Sequence, residues 1–146
     1  MRPRRRTLAG IAAVAAVAII AFAVTSTSST QTASQTRQMT SWWSSGGQVN
    51  LQAVTGDLLA IKTDAGNYDL ASLEADGSQL ASDAQAALDD PPPAQSIAAP
   101  EDAGMRAYVV AGNDLSNGNI TGATTEMNTG NADINQATAA VSNFGG

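Results

Sequence analysis

Almost every side chain here that could do acid–base chemistry is a carboxylate. Thirteen Asp and Glu stand against seven Lys and Arg in 146 residues, with no Cys and no His. Without imidazole the chain lacks the usual general base near neutral pH and the commonest transition-metal ligand. Without thiols it makes no disulfide, and Ser-His-Asp triads, Cys-His dyads and Cys/His zinc sites are excluded within it. A pair of carboxylates can run glycoside hydrolysis. Neighbouring candidates are Asp83 with Asp89 and Glu101 with Asp102. Nothing in the local pattern buries them, and charges on helices are ordinarily solvated. Asp64, Asn67 and Asp69 resemble the start of a calcium loop, but the register fails. Counted from Asp64, the third, sixth and twelfth positions are Gly66, Asp69 and Ala75, where an EF-hand needs Asp or Asn, Gly and Glu. Lys62, the only lysine, has no serine placed by sequence to form a dyad with it. No Gly-rich phosphate loop with a following Lys-Ser or Lys-Thr is present. The expectation is a noncatalytic chain with no cofactor and no metal.

The charges are segregated along the chain. Arg2, Arg4, Arg5 and Arg6 precede an apolar run, Leu8 to Val24, that contains nothing polar. Only Arg37, Lys62 and Arg106 follow it, against thirteen acidic residues beginning at Asp57, so that part carries a formal charge of −10. Such a surface repels phosphates, and no nucleic acid partner is expected. A basic end followed at once by an apolar run is an insertion or export signal. Seventeen helical residues span about 26 Å, the short limit for a bilayer core of about 30 Å. Residues 1–25 therefore read as a transmembrane anchor, with the membrane contacted through residues 7–25, or as a signal peptide cleaved near Ala23 in Ala21-Phe22-Ala23. Either reading places the rest outside the cytoplasm: single-pass at the cell membrane with an extracytoplasmic C-terminal domain, or secreted.

The domain organisation expected is an anchor or signal over 1–25, a disordered Ser/Thr-rich linker over 26–40 and a helical bundle over 41–146. The linker has little to bury, so its ordering entropy is not offset. Beyond it one periodic signal repeats four times. Leu51, Val54, Leu58, Ile61 and Ala65 are spaced by threes and fours, and so are Leu70, Leu73, Gly77, Leu80, Ala84 and Ala87. Met105, Tyr108, Gly112 and Leu115 make a third stripe. Ile120, Ala123, Met127, Gly130, Ile134, Ala137, Val141 and Phe144 make a fourth. This spacing lines one face of a helix. The fold expected is all-α, an antiparallel up-down four-helix bundle. Ala65-Gly66-Asn67, Asp89-Asp90-Pro91-Pro92-Pro93 and Asn117-Gly118-Asn119 mark the breaks, with Asn67 or Asp69 as a cap, Pro100 opening the third helix and Gly118 as a left-handed C-cap. Gly77, Gly112 and Gly130 fall on the stripes, where each costs about 1 kcal/mol of helix propensity relative to Ala. They either permit close backbone approach or leave a loose core with room between helices for a small or cationic ligand.

Trp42-Trp43-Ser44-Ser45-Gly46-Gly47-Gln48 is the most distinctive local string. Trp42, Trp43, Gly46 and Gly47 are the candidate interaction or packing residues, with packing against the end of the bundle the plainest role. The arrangement resembles a group of uncharacterised actinobacterial proteins, small, helical, and membrane-anchored or secreted. Their pattern is a short membrane segment, a Ser/Thr-rich linker, a W-W-x-x-G-G-Q-like start and two helical hairpins about a proline-rich break. The resemblance runs through Asp83-Ala84, Pro91-Pro92-Pro93, Ala107-Tyr108 and Gly118. Many members carry a cysteine midway along helix two and another late in helix three, implying a disulfide between hairpins. Here Gly77 and Gly112-Asn113 stand in those neighbourhoods. The resemblance implies topology and location, and no activity. The expected function is an envelope interaction module with a protein partner there, or else a binder of a small or cationic ligand.

Overall fold

A computed structural model describes residues 33–144, and every regular element among them is helical. We name them α1 (Ala33–Trp42), a π-helical segment (Trp43–Gly47), α2 (Gln48–Asn67), α3 (Leu70–Asp89), α4 (Gln95–Ser116) and α5 (Ile120–Phe144). The apolar run Leu8–Val24 and residues 26–32 lie outside the described residues. No helix among the described ones is long and apolar enough to cross a membrane.

The stripes become the core. All five apolar residues of the first stripe are buried in α2. In α3 Leu73, Gly77, Leu80, Ala84 and Ala87 are buried, while Leu70 at the helix start is exposed. In α5 the buried set runs from Ala123 to Phe144 at the expected positions, with Ile120 half-buried. From α2 onward, helices consecutive in the chain pack against one another, and the closest backbone approaches join α3 to α4 and α4 to α5.

Those approaches centre on glycine. A Cβ at Gly77 would stand 2.5 Å from Leu115 Cβ and 2.7 Å from the carbonyl oxygen of Gly112. A Cβ at Gly112 would meet the backbone of Gly77 and Ala81. A second pair joins α4 to α5: a Cβ at Gly104 would lie 2.8 Å from Ile134, and one at Gly130 would run into the Tyr108 ring. The seam glycines therefore make close contact, and the ligand space considered between the helices is filled by the facing chain. Gly104 is an addition to the expected set.

Three boundaries differ from the expected ones. The Ser/Thr-rich stretch expected as linker over 26–40 is helical from Ala33 onward. Its hydroxyls do not compete with the helix but join it: Thr40 and Ser44 donate to the carbonyls four residues back at 2.9 Å. Met39 is buried and fixes α1 to the body. The first hairpin does not break at Gly66. α2 runs on to Asn67, and the reversal falls at Tyr68, left-handed with φ 59°, where Asp69 N–H closes on the Asp64 carbonyl at 2.9 Å. Gly118 does the same at the end of α4, with φ 74°. Pro100 does not open α4, which starts at Gln95 and carries Pro100 within it. Only the bond to the Ser96 carbonyl is forfeited there, and burial of Ile97 holds the added turn in place.

The two kinds of glycine predict opposite outcomes. Gly112→Ala should lower stability by about 1–3 kcal/mol, because the methyl meets facing backbone and outweighs the propensity gain. Gly56→Ala, in mid-α2 with open space around it, should raise stability by about 0.5–1 kcal/mol. Thermal unfolding of both variants checks the contrast.

Candidate functional site

The tryptophan string builds a corner where α1, the π-helical segment and the end of α3 meet. Gly46 breaks the helix, with φ 178° and ψ −30°. Trp42 lies over Gly47, whose missing side chain leaves room for the indole. Trp42 Nε1 donates to the Asp90 carbonyl at 2.8 Å. The Asp90 carboxylate comes so close to Gly46 that a Cβ there would stand 2.9 Å from Oδ2. Trp43 packs with its ring centroid 6.1 Å from that of Trp42. The four residues singled out in the sequence thus come together, and they secure α1 to the body. Burial of Met39 and the indole hydrogen bond together amount to about 2–4 kcal/mol of docking.

Beside this corner, α1, the proline connection and Phe144 enclose a half-open recess of about 410 Å³. Its polar lining is amide and hydroxyl, from Gln35, Gln38, Gln95 and Ser96, over Met39 and Phe144. Among the described residues no charged side chain lines it.

The carboxylates arrange themselves differently from the sequence candidates. Asp83 does not pair with Asp89; it faces Asp57 across the α2–α3 hairpin, within hydrogen-bond reach. One turn pair further along, Asp64 faces Asp76 in the same way. Two carboxylates offer each other only acceptors, so such contacts are bonded only when one group holds a proton. Burial, then the Asp83 contact, pushes Asp57 up to about 7. Burial, then Asp64, pushes Asp76 up to about 6. The Oδ2 atoms of Asp57 and Asp76 are buried without a hydrogen-bond donor.

Glu101 is the sharper departure. Expected as a solvated charge beside Asp102, it is only 1% exposed, and neither carboxylate oxygen has a hydrogen-bond partner. Burial first, then the charges of Asp102 and Asp90, pushes it up to about 8. Asp102 behaves as expected of an exposed charge and holds Arg106 at 2.7 Å. Elsewhere, Tyr108 donates to Asn131 Oδ1 at 2.7 Å in the α4–α5 seam, and burial raises its phenol well above the ordinary value. Asp69 caps α3 by accepting from Ser72 N at 3.1 Å, and the Ser72 bonds hold its carboxyl below the usual range.

Sequence reasoning missed both hairpin pairs and Glu101, yet their spacing was visible. Asp57 and Asp64 each precede a stripe residue of α2, and Asp76 and Asp83 each precede one of α3. Glu101 lies four residues after Ile97 and four before Met105, on the buried stripe once α4 starts at Gln95. Among the described residues no group of three or more Asp or Glu side chains is placed to hold a metal ion. Comparison with known protein families, curated proteins and solved structures finds no match to this chain.

The raised carboxyls fix the sign of a pH dependence. Folding leaves Asp57, Asp76 and Glu101 holding protons they would release in the unfolded chain above about pH 4–4.5. Their stabilising contribution is therefore full in acid and lost as pH rises toward 8. Asp69 acts oppositely, only near and below its ordinary pKa. Urea midpoints should fall between pH 5 and pH 8.5. Asp57→Asn, which keeps a donor toward Asp83 without the charge, should recover about 1 kcal/mol at pH 8.5 and change little at pH 5.

Proposed function

We propose that this chain is a noncatalytic cell-envelope protein: a helical interaction module held outside the cytoplasm, joined to the membrane through residues 7–25 or released after cleavage near Ala23. The observation that carries the reading is the division of charge about the apolar run. Four arginines stand before Leu8–Val24, and a part with three basic and thirteen acidic residues follows it. Arginines are retained on the cytoplasmic side of an inserted segment, and acidic loops carry no comparable bar to translocation. The acidic helical body suits a partner of basic surface, drawn by long-range attraction that salt weakens. The resemblance to small actinobacterial envelope proteins, carried by the tryptophan-glycine string and the proline break, points the same way.

A second reading, binding of a small ligand, is favoured by one observation. The recess under α1 offers amides and a hydroxyl over Met39 and Phe144. With no charge among the described residues that line it, it fits a neutral hydrogen-bonding ligand better than the cationic one first considered.

Intact-mass measurement of the protein from membrane and medium fractions tests the main reading. A full-length mass in membranes identifies an anchor, and a mass beginning just after Ala23 in the medium identifies a signal peptide. A full-length mass confined to the cytosolic fraction rejects both. Crosslinking in intact cells should capture a basic envelope partner, with recovery falling as salt is raised.

A further inference from the structure

α2 carries two stripes. The inner one, Leu51 to Ala65, is buried in the body. Opposite it runs another at the same three-and-four spacing: Val49, Gln52, Gly56, Leu59, Thr63 and Gly66, all exposed. Val49 at 68% and Leu59 at 50% are the most exposed large aliphatic side chains among the described residues. A Cβ at Gly56 or Gly66 would meet nothing within 4 Å. A glycine in mid-helix weakens the helix relative to alanine. In α3, α4 and α5 the buried glycines admit a facing helix. Gly56 holds the same kind of place on a stripe, with no helix facing it among the described residues.

We propose that this outer stripe is a self-docking surface: α2 of one copy lies antiparallel against α2 of a second copy, about a two-fold axis between Gly56 and Leu59.

The order of residue sizes along the stripe carries the inference. Antiparallel overlap of its whole length sets Leu59 of each copy against Gly56 of the other, and Val49 against Gly66. Between these levels Gln52 meets Thr63. Every aliphatic side chain thus faces a glycine, and polar faces polar. Thr63 gives its proton to the Leu59 carbonyl at 2.9 Å, so its oxygen is left to accept from the Gln52 amide of the second copy. A two-fold pairing of this kind is closed and uses one patch twice. Parallel alignment would set Leu59 on Leu59 and glycine on glycine, a bulge beside a gap.

Charge selects the same occupant. The stripe holds no charge, and the rows flanking it hold only Lys62. The acidic residues of α2, Asp57 and Asp64, face α3 instead. A basic partner finds no carboxylate on the stripe, whereas a second copy needs none. Lys62 of the two copies would lie toward opposite ends of the contact. This face is distinct from the acidic surface assigned to an envelope partner, and the inference does not depend on where the chain resides.

The chain has no cysteine, so introduced thiols report without background. Full-length Gln52→Cys and Thr63→Cys proteins, kept in mild detergent to cover Leu8–Val24, are mixed in equal parts and oxidised. The 52–63 disulfide should exceed the 52–52 and 63–63 disulfides by about tenfold. Sedimentation equilibrium of the cysteine-free protein should show monomer and dimer in exchange. Leu59→Glu should weaken the dimer by about tenfold or more. Gly56→Leu should weaken it as well, because it fills the hollow that receives Leu59. A patch that is only sticky would gain from the added leucine. Both positions are exposed, so circular dichroism should stay that of the parent. A monomer at every concentration would leave the stripe to an unlike partner and overturn the proposal. So would 52–52 disulfides as abundant as 52–63, a dimer strengthened by Gly56→Leu, or one that survives both substitutions.

Discussion

The approach of α3, α4 and α5 at glycine is the constraint on which the rest of this structure rests. Gly77 against Gly112 and Gly104 against Gly130 bring three helices together with backbone nearly touching backbone. The buried set is correspondingly light: Ala84, Ala87, Ala111, Ala123 and Ala137 are all fully enclosed. Small residues bury little apolar area each, so the gain comes from contact density rather than side-chain size. A chain with 4% aromatic residues and no disulfide can hold an ordered seam only by letting its helices come this close.

Close approach has an electrostatic consequence. Outside that seam, across the α2–α3 hairpin, residues beside the stripes face one another, and in a chain this acidic both can be carboxylates. Asp57 meets Asp83 and Asp64 meets Asp76, each pair flanking the apolar stripes of α2 and α3. The hairpin accommodates them by holding protons. Glu101, on the buried stripe of α4, has no donor to compensate the loss of water. Stability of this body is thereby tied to proton uptake near neutrality, through groups that in a looser or less acidic bundle would be solvated and ionised.

Much of this was legible in the sequence, and the part that was not has identifiable causes. Helix faces were readable because Leu51 to Ala65 and Ala123 to Phe144 repeat without interruption, and periodicity is insensitive to where a helix starts. Ends were less so. Pro100 resembled a first-turn residue because proline has no amide hydrogen, but a buried Ile97 outweighed one lost backbone bond. That misplaced start hid Glu101, since a stripe opening at Met105 leaves residue 101 outside it. Gly66 drew the turn two residues too early because Tyr68 adopts a left-handed conformation that favours glycine. Composition alone misread Ala33–Trp42: serine and threonine weaken an isolated helix, while the buried Met39 and a tryptophan anchored 48 residues away in sequence support one.

The tryptophan string shows how a local motif and a distant one share a task. Trp42, Gly46 and Gly47 mean little without Asp90, and the Asp-Asp-Pro-Pro-Pro break means only "stop" without the tryptophan. Brought together, they convert the end of a helix into a docking point. The indole needs a carbonyl acceptor, and Asp90 ends α3, where carbonyls lack helical partners. The glycines need a neighbour that uses their missing side chains, and the indole and the Asp90 carboxylate supply it. The attachment of α1 thus joins directional contacts to the apolar packing of Met39, Trp42 and Trp43. These contacts are separate from the glycine contacts of α3, α4 and α5, which involve none of the same atoms.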